Sequence, residues 1–423
     1  MKRALLENWA LFLGMLMLMV ANGLLATLLT IRGSELGFSD FVISIMQACY
    51  PFGALVGTIL APRMVEKVGH IRVFSALASS VSIAAILHLL TDDPYSWSAM
   101  RFLAGVCYPG LYVITESWLN AKAENKIRAQ ILSVYFVIQL IGPAGGTALV
   151  GFPDPSGNLL FGIVSILISL SIVPLLLSNN KAPDYTAPER MPVSKLYKVS
   201  PMAVSGIVLM SVAVSAAYIS LPLYALQQGF TTAQASGALV VALIAGAAVQ
   251  YPVGWISDKT DRRYVVIGLG VLTALAGLWM AVDTSPSRTV IGFALIAMGT
   301  FPAYSILTAH ANDQLKQSQI VPASGAMVFL LNIGLLAGTV VGPNTISLFD
   351  GRGLQMLFVV IGVGGAALAL LRRVQVAAPE ETGEAQAVGI IGVAQPGVLQ
   401  AESWIEDDDK VSDADLMKEN SAK

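Results

Sequence analysis

Apolar stretches of about 20 residues follow one another along this chain, and that is the length a helix needs to cross a hydrocarbon core. They lie at approximately 9–31, 40–62, 71–90, 96–119, 128–150 and 158–177, then at 200–225, 232–256, 264–282, 288–310, 322–348 and 353–371. Lipid offers no partner to a backbone N–H or C=O, so a segment buried there must satisfy these groups internally, as a helix does. Composition agrees: 55% of residues are hydrophobic and 12% charged, against roughly 25% charged in a soluble domain. The expectation is an all-α integral membrane protein with twelve transmembrane helices. Met1-Lys2-Arg3 followed by an apolar run resembles a signal peptide. That run is longer than an h-region and has no small-x-small cleavage site, so it is read as the first span. Cys49 and Cys107 fall inside spans and read as small packing residues, with no disulfide framework implied.

The spans repeat. Gly37-Phe38-Ser39 returns as Gly229-Phe230-Thr231 and Glu66-Lys67 as Asp258-Lys259, each 192 residues later. Pro109 and Thr115 match Pro302 and Thr308 at an offset of 193, and Gly142-Pro143 matches Gly342-Pro343 at 200. A duplication over most of 10–372 predicts two pseudo-symmetric six-helix bundles, 1–177 and 199–373. An irregular linker, 178–198, carries Pro183, Pro188 and Pro192, and a tail covers 374–423. Two membrane-spanning halves that rock about a shared site are the usual build of a secondary transporter.

Charge sets the orientation. With both termini cytoplasmic, all of the 25 Lys and Arg fall on the inner side except Arg32, Arg101, Arg288 and Arg352, as the positive-inside rule requires. Outer turns such as Thr91-Asp92-Asp93-Pro94 and Pro153-Asp154-Pro155 are short and acidic. Residues 380–423 hold 11 acids against 3 bases and lack apolar periodicity, so the tail reads as disordered and cytoplasmic. A docking motif at Trp404-Ile405-Glu406 for an unknown cytoplasmic partner stands beside the plainer reading of a solvated tail.

Between the eighth and ninth spans, Gly254-Trp255-Ile256-Ser257-Asp258-Lys259-Thr260-Asp261-Arg262-Arg263 fits G-x-x-x-D-[KR]-x-x-R-[KR]. Here the chain resembles the major facilitator superfamily. The resemblance implies a conformational latch, in which Gly254 permits close helix packing while Asp258 meets a helix terminus and nearby basic groups, with Lys259, Arg262 and Arg263 completing the motif. A carboxylate at a helix N-terminus is favoured by about 0.3–1 kcal/mol, a size suited to a switch. The first copy departs from the pattern. Glu66 and Lys67 stand in the Asp-Lys positions, Pro62 replaces Gly, and Gly69 is followed by Arg72 one residue late. Latching there competes with the simpler reading that these charges obey the positive-inside rule.

The fourth span begins Arg101-Phe102-Leu103-Ala104-Gly105, similar to the R-x-x-x-G signature of that superfamily. Arg101, Gly105, Tyr108, Tyr112 and Glu116 advance by four, three, four and four residues, so at about 100° per residue they share one face. An ionisable group in lipid costs at least about 2.5 kcal/mol, so this stripe is expected to face a cavity. Interfacial placement of Glu116 and outward snorkelling of Arg101 are the alternatives. The duplication puts Ala309-His310 at the depth of Glu116-Ser117. Glu116 and His310, with Arg101, are therefore the proton-coupling candidates, Glu116 and His310 approaching at the cytoplasmic end in one conformation and separating in the other; a histidine titrates near neutral pH. Asn22, Tyr108, Tyr112, Ser215, Tyr218 and Tyr304 are the candidate cavity residues, and such side chains equally serve as helix-to-helix glue.

Gly142-Pro143-Ala144-Gly145-Gly146 in the fifth span resembles an antiporter motif one residue short, and Gly334, Gly338 and Gly342-Pro343 repeat at four-residue spacing in the eleventh. Small residues at that interval permit close packing and Pro bends a helix, so antiport and packing are both open. Gly69-His70-Ile71-Arg72 with Glu116-Ser117-Trp118-Leu119-Asn120 looks like the YcaD-like permeases, a bacterial branch of the superfamily. The resemblance implies a proton-linked secondary transporter of a small organic solute in the bacterial inner membrane, most simply a monomer, with efflux favoured over uptake. A membrane sensor that keeps the fold and signals through the tail is the competing class. No nucleotide-binding, metal-cluster or nucleophile motif is present, so no enzyme, cofactor, metal or nucleic-acid role is expected.

Overall fold

The computed structural model describes residues 2–122, 125–152, 158–177, 191–283 and 285–371; the acidic tail and most of the linker, with what is expected of them, lie outside these residues. The helices are α1 (Lys2–Glu35), α2 (Asp40–Val68), α3 (His70–Leu87), α4 (Pro94–Lys122), α5 (Asn125–Leu149), α6 (Leu159–Leu177) and α7 (Val193–Val199). They continue as α8 (Pro201–Gln227), α9 (Thr232–Lys259), α10 (Arg262–Val282), α11 (Pro286–Thr300), α12 (Ala303–Asn312), α13 (Gln317–Thr345) and α14 (Gly353–Leu371). Ten described segments are long and apolar enough to cross a membrane, α11 and α12 counting as one.

Two expectations need correction. The linker contains regular structure, since α7 packs on α8 and on the start of α13, where the Met191 N–H donates to the Pro322 carbonyl at 3.0 Å. The tenth span is broken at Phe301-Pro302. Pro302 has no N–H to give the preceding turn, and its ring crowds the carbonyl four residues back. Its counterpart Pro109 lies within an unbroken α4, so the duplication is inexact at this position.

The repeated landmarks form the same corner twice. Gly37 and Gly229 adopt φ of 78° and 83°, where an L side chain would strain the backbone. The next residue's N–H reaches back, Phe38 to the Gly33 carbonyl and Phe230 to the Ala225 carbonyl, closing the preceding helix. Ser39 then accepts from the Val42 N–H and Thr231 from the Gln234 N–H, both at 3.3 Å, opening the following one.

Helices α1–α6 pack chiefly among themselves, α2 on α4 and α1 on α5 and α6, while α8 packs on α13 and α10 on α14. The two sets meet where α2 touches α13, α5 touches α9 and α1 touches α8. At the end bearing the repeated corners they are tied by side chains. Asn344 donates to Ser44 at 2.9 Å, Gln227 to Asp40 at 3.1 Å and Thr232 to Glu35 at 3.3 Å.

Glycines set the closest helix approaches. A Cβ at Gly146 would overlap the Val20 carbonyl of α1, one at Gly142 the Met19 side chain, and one at Gly23 the Pro143 backbone. On α13 a Cβ at Gly338 would overlap the Val212 carbonyl of α8, and one at Gly342 would meet Ser220 and Ala216; Pro343 follows in the last turn of that helix. Gly145 and Gly254 are not close-packing positions in this conformation, since a Cβ at either would meet open space.

Candidate functional site

Close packing of α2 on α4 builds the site's first wall. A Cβ at Gly105 would overlap the Tyr50 carbonyl and one at Gly53 the Phe102 carbonyl. With the helices held this near, Arg101, one turn before Gly105, lays its guanidinium carbon 4.5 Å from the centre of the Tyr50 ring. Arg101 is only 3% exposed, so it turns into the protein rather than snorkelling outward.

The stripe on α4 is enclosed. Tyr108 and Tyr112 are fully buried and Glu116 is 5% exposed. From α1, the Asn22 amide donates to the Tyr112 hydroxyl at 3.2 Å and to the Tyr50 hydroxyl at 3.3 Å. From the second set, Tyr218 of α8 comes within electrostatic reach of Arg101, with its hydroxyl beside Thr27 and Thr147. Tyr304 of α12 lies within electrostatic reach of Glu116, as does Tyr135 of α5. Helices of both sets thus contribute to one buried polar column. The Ser215 hydroxyl bonds to Thr339 and joins α8 to α13.

His310 is placed elsewhere. It is 7% exposed, its Nε2 lies 2.9 Å from the Gln314 amide, and the charges that act on it are Asp313, Asp261, Arg262 and Arg263. In this conformation His310 therefore belongs with the α9–α10 loop, and Glu116 lies within electrostatic reach of Tyr304 and Tyr135.

That loop is an ion-pair cluster. Arg262 bridges Asp258 at 3.1 Å and Asp313, the residue after α12, at 2.7 Å, and donates to Ser257 at 3.0 Å. Lys259 stacks on Trp255 with its Nζ 3.9 Å from the ring centre. The carboxylate at the helix terminus is Asp261 rather than Asp258: Asp261 caps α10 by accepting from the Arg263 N–H at 3.0 Å and pairs with the Arg263 side chain. In the first copy Glu66, Lys67 and Arg72 are exposed, while Gly69 takes φ of 83° between α2 and α3. His70 turns inward onto Trp118, ring centres 5.9 Å apart, so the two stretches that carried the YcaD-like resemblance meet in space.

The Arg263 side-chain bonds hold the Asp261 carboxyl below its ordinary value, helped by the backbone N–H and opposed by burial. A depressed carboxylate contributes stability above the unfolded value, about 3.9, and loses it as pH falls through the lower folded value. Between pH 5 and 8 that contribution is constant. Replacing Asp261 by alanine removes both the cap and the ion pair and is therefore expected to lower the melting temperature throughout this range; an unchanged melting temperature at pH 7 would contradict the assignment.

Sequence reasoning missed Tyr50, Asp261 and Asp313. Asp261 was readable as an Asp directly before a basic helix start, whereas nothing local marks Tyr50 or Asp313 as partners of residues 51 positions away in each case.

A sequence model described as the Major Facilitator Superfamily matches residues 11–339. An "Uncharacterized MFS-type transporter" of Yersinia pseudotuberculosis serotype O:3 (strain YPIII) is 26% identical over 374 residues, 85% of this chain and 94% of the relative. The "Uncharacterized MFS-type transporter YcaD" of Escherichia coli O7:K1 is 27% identical over 335 residues, 77% and 85% of the two chains. Among solved structures, the nucleoside transporter NupG aligns with a TM-score of 0.69 at 13% identity over 86% of this chain and 98% of its own. The human organic anion transporter MFSD10 (TETRAN) aligns at 0.62 and 13% over the same shares. These two likenesses are of fold alone. The sequence match spans most of the chain and falls on the helices just described, and the chain belongs to the Major Facilitator Superfamily, as a multi-pass membrane transporter and not an enzyme.

Proposed function

We propose that this chain is a proton-linked secondary transporter of a small organic solute in the bacterial inner membrane. It has twelve spans, two six-helix bundles (1–177 and 199–373), a linker at 178–198 and both termini cytoplasmic, acts as a monomer, and exports. The tail, 374–423, is a cytoplasmic appendage whose removal leaves flux intact. The observation that carries the transport site is the α4 column, walled by Asn22 and Tyr50 of its own bundle and met by Tyr218 and Tyr304 of the other. A site shared by both bundles is exposed to one side or the other as they rock. The ties at Ser44–Asn344, Asp40–Gln227 and Glu35–Thr232 close the end with the acidic turns. With the basic loops inside, this is an inward-facing state, in which the charges acting on His310 are Asp313 and those of the α9–α10 loop.

Coupling is assigned to Glu116 and His310. On outward opening the cytoplasmic ends converge, His310 leaves the Asp313 and Asp261 charges and nears Glu116, and its affinity for a proton changes because its neighbours change. A thermal-shift screen of the purified protein at two pH values identifies a solute, since a ligand of the folded state raises apparent stability. In proteoliposomes loaded with that solute, Glu116→Gln and His310→Ala are expected to abolish the acceleration by an imposed pH gradient while exchange at equal pH persists. Undiminished gradient-driven flux in both variants would sink the assignment.

A further inference from the structure

We infer that the transported solute is a small organic anion, received by Arg101. This rests on the transporter reading above and names the charge of its cargo. Arg101 carries a permanent positive charge and is buried, yet its Nε and Nη1 have no hydrogen-bond acceptor. The groups that act on it electrostatically are Tyr50, Tyr218, Tyr108 and Cys49, with no carboxylate among them. Breaking a buried ion pair by removing one partner is strongly destabilising because it leaves an uncompensated charge, and Arg101 stands in that condition.

Three other described arginines have a carboxylate partner instead. Arg32 pairs with Glu35 at 3.6 Å, Arg263 with Asp261, and Arg262 with Asp258 and Asp313. No carboxylate among the described residues pairs with Arg101. Glu116 lies on the same helix 15 residues further on, about 22 Å at 1.5 Å per residue. Glu35 and Asp40 are engaged at the corner with Arg32, Thr232 and Gln227.

The Tyr50 ring covers one face of the guanidinium. A cation over a ring is attracted to it, but the in-plane N–H donors stay available, and these match the two oxygens of a carboxylate, sulfonate or phosphonate. The Tyr108 hydroxyl, also without a partner, adds a donor on the same stripe. Tyr218 of α8 lies within electrostatic reach of the guanidinium, so an anion bound there sits between the two sets of helices. The aromatic walls suit a solute with an apolar body behind its charge.

The test is a charge series on purified full-length protein in detergent at constant potassium chloride. Benzoate, glutarate, benzenesulfonate and phenylphosphonate are compared by thermal shift with benzamide and benzylamine, which present benzoate's ring without its negative charge. At least one anion is expected to raise Tm in a saturable way, and the two non-anions by less than a third as much. Arg101→Gln is expected to abolish the shift and Arg101→Lys to weaken apparent affinity tenfold or more, because a lysine keeps the charge and loses the fork. Benzamide or benzylamine matching benzoate, a flat response to all four anions, or an undiminished anion shift in Arg101→Gln overturns the inference. If Arg101→Gln does not fold, an Arg101→Lys protein with wild-type anion affinity overturns it. Saturable anion binding without counterflow in proteoliposomes would defeat transport and leave the anion site standing. Counterflow of a neutral solute, undiminished in Arg101→Lys, would do the reverse.

Discussion

Gly146→Val is expected to yield little folded protein, while Gly145→Val, one residue away on the same helix, is expected to purify and melt as wild type does. The obstacle at Gly146 is backbone: an added Cβ would overlap the Val20 carbonyl and approach the Leu24 N–H of α1 to 2.6 Å. A flexible side chain could turn aside, but a carbonyl within a helix cannot, so α1 and α5 would have to separate. Overpacking costs about 1–3 kcal/mol where side chains can shift, and here α1 is also the helix that presents Asn22 to Tyr50 and Tyr112. Gly145 is exposed and faces open space, where valine differs from glycine by less than about 1 kcal/mol of helix propensity. Fluorescence-detected size exclusion and melting temperature would read the contrast. Equal yields of the two variants would mean that α1 and α5 do not approach as described.

Cross-linking Ser44→Cys to Asn344→Cys, in a background with Cys49 and Cys107 replaced by alanine, is expected to abolish transport, and reduction to restore it. These positions sit on α2 and α13, and the native side chains bond across the bundles at 2.9 Å. If the bundles rock, this contact must open once per cycle; a short bifunctional thiol reagent would hold it shut. Counterflow in proteoliposomes before and after cleaving the link reads the effect. A linked protein that transports at the uncross-linked rate would show that this contact does not part. The single variant Asn344→Ala tests less, because one partly exposed hydrogen bond is worth only about 0.5–1.5 kcal/mol.

Much of the molecule was legible in local sequence. Apolar runs gave the helices because lipid leaves the backbone no other way to satisfy itself. Gly37 and Gly229 marked the paired corners because positive φ and helix capping are decided within a few residues. The i, i+4 stripe on α4 was legible for the same reason. What a residue meets is decided by its neighbours. Gly254 fits a packing motif and faces open space in this conformation, Ser215 bonds to Thr339, and the carboxylate that caps α10 is Asp261, three residues past the motif Asp.

The sequence by itself determined that this chain is a duplicated, helical membrane protein, because hydrophobic length, periodicity and turn chemistry are properties of short segments. The tertiary structure alone decided what the polar residues face. It laid Arg101 on Tyr50, put Glu116 within electrostatic reach of Tyr304 and drew His310 to the α9–α10 loop. Those pairings join helices far apart in the chain, and they depend on how closely glycines such as Gly53, Gly105 and Gly146 let those helices approach.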